Sequence, residues 1–131
     1  MGFFDKLTEK TSTTASPDIQ WQDLTTEADL EALIKHSHKA PCVIFKHSTR
    51  CSISSMAKNR FERNWDLDMT EIEPYYLDLI AYRPISNQIA ETLGVVHQSP
   101  QIILVKDGAA IYDTSHNDIN VEELKNQLKN S

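Results

Sequence analysis

Three short apolar runs limit what this chain can become: Cys42-Val43-Ile44-Phe45, Tyr75-Tyr76-Leu77-Asp78-Leu79-Ile80 and Ile102-Ile103-Leu104-Val105. Each has the length of a strand; Cys42–Phe45 is continuously apolar, as a central strand buried on both faces would be, and Tyr75–Ile80 reads as the next buried strand. A sheet covered on both faces needs helices above and below it, and the intervening segments supply them. One helix opens near Thr26, a good N-cap, with Glu27 and Asp29 in its first turn and Leu30, Leu33 and Ile34 on one face; Lys35, His36 and Lys39 mark its end before Pro41. A second follows Cys51, where Ile53, Met56, Ala57 and Phe61 recur at helical spacing as the expected sheet-facing side, Trp65 extends it, and Lys58, Glu62 and Arg63 are expected in solvent. The acidic stretch from Asp66 to Glu73, ending at Pro74, reads as a connection. Ile85, Ile89 and Leu93 define a third helix that Gly94 can close in the left-handed conformation. The last helix opens at Asn120, with Glu123 in capping-box position and Val121, Leu124 and Leu128 on its face.

Asp107-Gly108, between Ile102–Val105 and the short run Ala109-Ala110-Ile111-Tyr112, is a hairpin signal, and Ile19–Leu24 alternates as an edge strand would. The fold class expected from this order is α/β, a mixed central sheet with helices on both faces. Crossovers over 52–65 and 85–94 imply parallel early strands, and the Asp107-Gly108 turn implies an antiparallel last pair.

A chain of 131 residues suits one domain, expected over 19–131, with the Thr- and Ser-rich residues 1–18 as a loosely held arm. The net charge of −6 and the lack of a Lys/Arg cluster argue against nucleic acid as a partner. No stretch reaches the roughly 18 apolar residues of a membrane span. The start Met1-Gly2-Phe3-Phe4-Asp5-Lys6 fits neither a secretory signal nor the myristoylation pattern, so a cytoplasmic protein is expected.

The chemistry centres on Cys51, which follows a buried strand and a short polar loop and stands where a helix begins. Unpaired N–H groups and the positive end of the helix dipole favour the thiolate there, the nucleophilic form. Arg50 adds a positive charge and Ser52 a donor beside it, both in the same direction. Cys42 starts the strand and Cys51 lies beyond its far end, about five residues at roughly 3.3 Å each, well over the ~7 Å between Cα atoms that a disulfide allows. Cys42 therefore reads as a small buried side chain. Five scattered histidines and two distant cysteines make no metal spacing, and no bound cofactor is expected.

The stretches Lys46-His47-Ser48-Thr49-Arg50-Cys51-Ser52-Ile53-Ser54, Gly94-Val95-Val96-His97-Gln98-Ser99-Pro100-Gln101 and Lys106-Asp107-Gly108 resemble the YtxJ-type monothiol bacilliredoxins, a branch of the thioredoxin-like proteins. The likeness covers roughly residues 19 to 129. The usual motif there is Thr-Cys-Pro-Ile-Ser, from which Arg50 and Ser52 depart. The resemblance implies a thioredoxin-like fold with a cis Ser99-Pro100 bond beside Cys51. It also implies that Ser54 hydrogen-bonds the sulfur across one helical turn, and that Ser99, Pro100 and Thr49 contact substrate. His97, just before the Ser99-Pro100 turn, is expected near Cys51, stabilising thiolate as imidazolium or orienting the carboxylates of an acidic small thiol. His47 reads as structural.

A thiolate that attacks a disulfide is left in a mixed disulfide, which a second thiol must resolve. With Ser54 at the usual resolving position and Cys42 out of reach, that thiol must come from outside the chain. The resemblance names it as bacillithiol, a co-substrate, and implies a monothiol oxidoreductase that removes bacillithiol from S-thiolated proteins, with a disulfide reductase acting downstream. Two alternatives stay open: a glutaredoxin-like enzyme using another low-molecular-weight thiol, and a non-catalytic redox-sensing or interaction module of the same fold.

Overall fold

A computed structural model describes residues 19–68 and 71–131; the expected N-terminal arm, residues 1–18, lies outside them. In chain order the elements are β1 (Gln22–Asp23), α1 (Glu27–His36), β2 (Cys42–His47), α2 (Ser52–Arg63), β3 (Glu73–Asp78), α3 (Arg83–Leu93), β4 (Gln101–Lys106), β5 (Ala109–Ser115), a 3-10 turn at His116–Asp118 and α4 (Val121–Lys129). The five strands form one sheet in the order β1-β3-β2-β4-β5. The three apolar runs occupy its centre as β3, β2 and β4.

Side chains alternate between the two faces of each central strand and build two cores. Cys42, Ile44, Leu77, Ile103 and Val105 pack with Leu30 and Leu33 of α1 and Ile85 and Ile89 of α3. Val43, Phe45, Ile102 and Leu104 pack with Ala57 and Phe61 of α2 and Val121 and Leu124 of α4. Helices therefore cover both faces, as the continuous apolar runs demand.

The helix ends follow the sequence. Thr26 caps α1 in a complete capping box with Asp29, and Gly94 closes α3 at φ 67°. Asn120 caps α4 by accepting the Glu123 N–H, but only half of the expected box forms, because the Glu123 carboxylate accepts from Gln127 instead. At the hairpin, Asp107 (φ 54°) and Gly108 (φ 80°) are both left-handed, the requirement of a tight two-residue connection. A Cβ on Gly108 would lie 2.9 Å from His38 Nε2, which glycine avoids.

Several strand boundaries and one direction differ from expectation, with β2 running on to His47 and β5 to Ser115. β1 is only Gln22–Asp23, paired parallel with Tyr75–Tyr76. β3 runs from Glu73 rather than Tyr75, and Pro74 is accommodated because it precedes the reach of β1 and needs no N–H on that side. β3 also stops at Asp78, leaving Ile80 in an exposed turn. Finally, β4 runs antiparallel to β2, so the crossover over 85–94 does not yield a parallel strand. The cause is the loop after Gly94: it doubles back along α3, as shown by His97 Nδ1 standing 3.4 Å from Ser86 Oγ. The chain thus re-enters the sheet at the end where β3 left it.

Candidate functional site

That return path brings two distant segments to one end of the sheet. β2 pairs with β4 through Lys46 opposite Gln101, so the end of β2, leading to Cys51, and the start of β4, preceded by Pro100, lie side by side. The Ser99-Pro100 bond is cis, as the resemblance implied. Pro100 is buried, and its carbonyl accepts the His116 N–H at 3.0 Å.

Cys51 is the N-cap of α2 (φ −113°, ψ 119°), half-exposed and free. A turn delivers it there, its N–H donating to the Ser48 carbonyl and its own carbonyl accepting from Ser55, both at 3.1 Å. The sulfur makes no capping hydrogen bond and the first turn carries no acidic residue, so the positive end of the helix is left to the sulfur. Thr49, Arg50 and Ser52 around it are exposed.

Cys42 is the opposite case. It is fully buried, and burial, followed by the charge of Glu73, pushes its thiol up to about 12. Neither cysteine is in a disulfide. The chain therefore presents one reachable sulfur and one inert one.

The helix after Cys51 is rotated from the expected orientation. Its buried face is Ser54, Ala57 and Phe61, while Ile53 (58% exposed) and Met56 (66%) point outward. Ile53 and Met56 line a groove of about 350 Å³ with Ala57, Arg60, His116 and Asn117. On the other flank, Val96 is 78% exposed. Apolar periodicity hid this, because Ser54 fills a core position through hydrogen bonds rather than through apolar surface. Lys58 and Glu62 also differ from expectation. They pair at 2.6 Å in a half-buried bridge, with Glu62 accepting from Trp21 Nε1 and Lys58 lying over the Trp21 and Tyr76 rings.

Ser54 is fully buried, and its hydroxyl is turned inward. It accepts the Ser48 N–H at 3.1 Å and lies 2.7 Å from His47 Nδ1. Burial, then the nearby Lys58 ammonium, hold His47 below its ordinary pKa, so it is neutral at pH 7 and its Nδ1 shares one hydrogen bond with the Ser54 hydroxyl. The expected Ser54 hydrogen bond to the sulfur is thus replaced by one that fixes the loop entering the cysteine. His47 is structural, as expected. Ser54→Ala would leave the Ser48 N–H and His47 Nδ1 unpaired, and should cost about 1–3 kcal/mol in urea unfolding.

His97 is held by the strand that leads to Cys51. Its Nδ1 is 3.2 Å from Lys46 Nζ, on the face of the sheet covered by α1 and α3. Burial, then Lys46 and Arg83, push its pKa down, so the imidazolium role is replaced by a neutral, accepting imidazole. Lys46 was not singled out by sequence, because a lysine next to a polar loop reads as the solvated end of a strand. The missed signal is its alternation with Cys42 and Ile44, which points it inward. Among the described residues no group of His, Cys, Asp or Glu could hold a metal ion.

Among the described residues, no helix is long and apolar enough to cross a membrane. The structure resembles one whose description proposes an oxidoreductase with a thioredoxin fold (30% identity, TM-score 0.69, 80% of this chain and 90% of that one). It also resembles Malassezia sympodialis thioredoxin (19%, 0.66, 87% and 92%) and mitochondrial thioredoxin 3 of Saccharomyces cerevisiae (20%, 0.65, 85% and 95%). The fold is therefore that of thioredoxin, and the likeness extends to family level in the sequence. The model of the monothiol bacilliredoxin BrxC family matches residues 22–124, and with one reachable thiol at the head of α2 the chain belongs to that family of thiol–disulfide oxidoreductases.

Proposed function

We propose that the protein removes bacillithiol from S-bacillithiolated proteins. The observation that carries this reading is the pairing of a reachable Cys51 with a Cys42 that is fully buried and a Ser54 where a resolving thiol would stand. The Cys51 thiolate attacks the bacillithiol sulfur of the mixed disulfide, forming Cys51–S–S–bacillithiol and expelling the protein thiolate. A free bacillithiol thiolate then attacks the bacillithiol sulfur on Cys51, releasing bacillithiol disulfide and restoring the Cys51 thiolate. Each exchange forms one S–S bond and breaks one, so no electrons enter until a separate reductase cleaves the small disulfide. The setting is a reducing compartment, the cytoplasm.

In this reading the polypeptide around the modified cysteine lies along the Ser99 backbone at the cis Pro100, near Thr49, as an added strand would. Ile53, Met56 and Val96 give it apolar surface. Arg50 and Ser52, exposed on either side of Cys51 in the chain, stand where the incoming disulfide approaches.

The test is release of bacillithiol from a modified protein under multiple turnover. Turnover is expected with free bacillithiol and to stop near one equivalent without it. Equal turnover with glutathione would favour the glutaredoxin-like alternative, and a stable adduct without turnover would favour a sensor.

A further inference from the structure

Lys46 has 0% exposure and sits in the central strand of the sheet. Its Nζ donates to His97 Nδ1 at 3.2 Å, and Ser86 Oγ lies 3.4 Å from the same nitrogen. Its partner in register is Gln101, also fully buried. Gln101 reaches the same loop on either side of His97, donating from Nε2 to the Val96 carbonyl at 3.0 Å and accepting the Gln98 N–H on Oε1 at 3.3 Å. Three consecutive residues, Val96, His97 and Gln98, are therefore tied from beneath by two buried polar side chains facing each other across β2 and β4. The next two residues are Ser99 and Pro100.

A buried ammonium is expensive to desolvate, and a methionine would fill the same space without that cost. What the lysine supplies instead is direction: an N–H aimed at one ring nitrogen. His97 suits this, because a neutral imidazole is an acceptor whereas an imidazolium would repel the ammonium. The tie also explains how Val96 can stay exposed while its carbonyl is held from inside.

We propose that Lys46, acting with Gln101 through His97, is a positioning residue for the thiol exchange: it fixes the 96–98 loop so that the Ser99 backbone is held ready for the polypeptide bearing the modified cysteine. This rests on the reading of the function given above, and it assigns Lys46 and His97 to recognition of the protein half of the substrate rather than to the sulfur chemistry.

The experiment compares K46M, H97A and H97N with wild type in the full-length protein, using an S-bacillithiolated protein at saturating bacillithiol. Three quantities are read: KM and kcat for the modified protein, the rate of Cys51 alkylation by iodoacetamide, and amide hydrogen exchange over 96–99. Losing one charge-assisted hydrogen bond should raise KM about tenfold in K46M and H97A. Their kcat and alkylation rates should stay within about twofold of wild type, and amide exchange over 96–99 should quicken. Asparagine places an acceptor close to where Nδ1 stands, so H97N should recover KM to within about threefold, a rescue that loss of bulk would not predict.

Unchanged KM and exchange in K46M and H97A would overturn the proposal, as would an equal fall in all rates or an H97N no better than H97A. Absence of turnover by wild type would instead overturn the bacillithiol reading, and the exchange data would still decide whether Lys46 anchors the loop.

Discussion

Cys51→Ser is expected to lower release of bacillithiol from a modified protein by at least about a thousandfold, while Cys42→Ala leaves turnover within about twofold of wild type. A serine hydroxyl is not ionised at neutral pH and does not exchange with a disulfide, so the reaction loses its nucleophile entirely. Cys42 contributes nothing to the exchange because its thiol is buried and pushed up to about 12. The same contrast should appear without any substrate. In the native protein a disulfide reagent such as DTNB should titrate one thiol, and unfolding in urea should expose the second. Retained turnover in Cys51→Ser, or a fast second thiol in the folded protein, would sink the single-thiol mechanism. Mass spectrometry of wild type starved of free bacillithiol should show the adduct on Cys51.

The second large effect concerns stability, and its sign is opposite to that of most core substitutions. Lys46 is pushed down from 10.5 to about 8 by burial. Between about pH 8 and 10.5 the unfolded chain holds this proton and the folded chain has released it, so the Lys46 contribution to stability rises with pH across that window and its penalty is complete below pH 8. Over that interval the penalty amounts to about 3 kcal/mol. Lys46→Met keeps the length of the stem, removes the charge, and gives up one charge-assisted hydrogen bond to His97 worth about 2 kcal/mol. It should therefore be more stable than wild type by about 1 kcal/mol at pH 7, with the gap closing toward pH 10.5. Urea unfolding of both proteins at pH 7, 9 and 10.5 measures this, and Cys42, which also titrates at high pH, cancels in the difference. A less stable Lys46→Met, or a gap independent of pH, would contradict it. Together with the expected rise in KM, the result would show a protein giving up stability to hold its substrate loop.

The sheet was legible in the sequence because three continuous apolar runs leave few alternatives, and the caps at Thr26, Asn120 and Gly94 mark helix ends through local chemistry. The direction of β4 was not, because a helical crossover usually returns a chain parallel, and only the course of the loop after Gly94 reverses it. Cys51 was visible from its place before a helix, whereas the cis bond at Pro100 was implied only by the family resemblance. The partners of Ser54 and His97 were not: periodicity tracks apolar burial, whereas Ser54, Lys46 and Gln101 are buried as hydrogen-bonding groups. The exposed Ile53 and Met56 are the counterpart of this, since helical spacing alone does not separate an apolar core face from apolar side chains that line a surface groove.

A single reachable sulfur also sets how the protein meets an oxidant. Peroxide would convert Cys51 to a sulfenic acid, and no neighbouring cysteine could trap that species as an internal disulfide before further, irreversible oxidation. Capture has to come from the surrounding pool of small thiol, which yields the same mixed disulfide that the exchange already passes through. Under the proposed function, survival of the protein under oxidative load is thus tied to the abundance of bacillithiol, and inactivation should begin where that pool is exhausted.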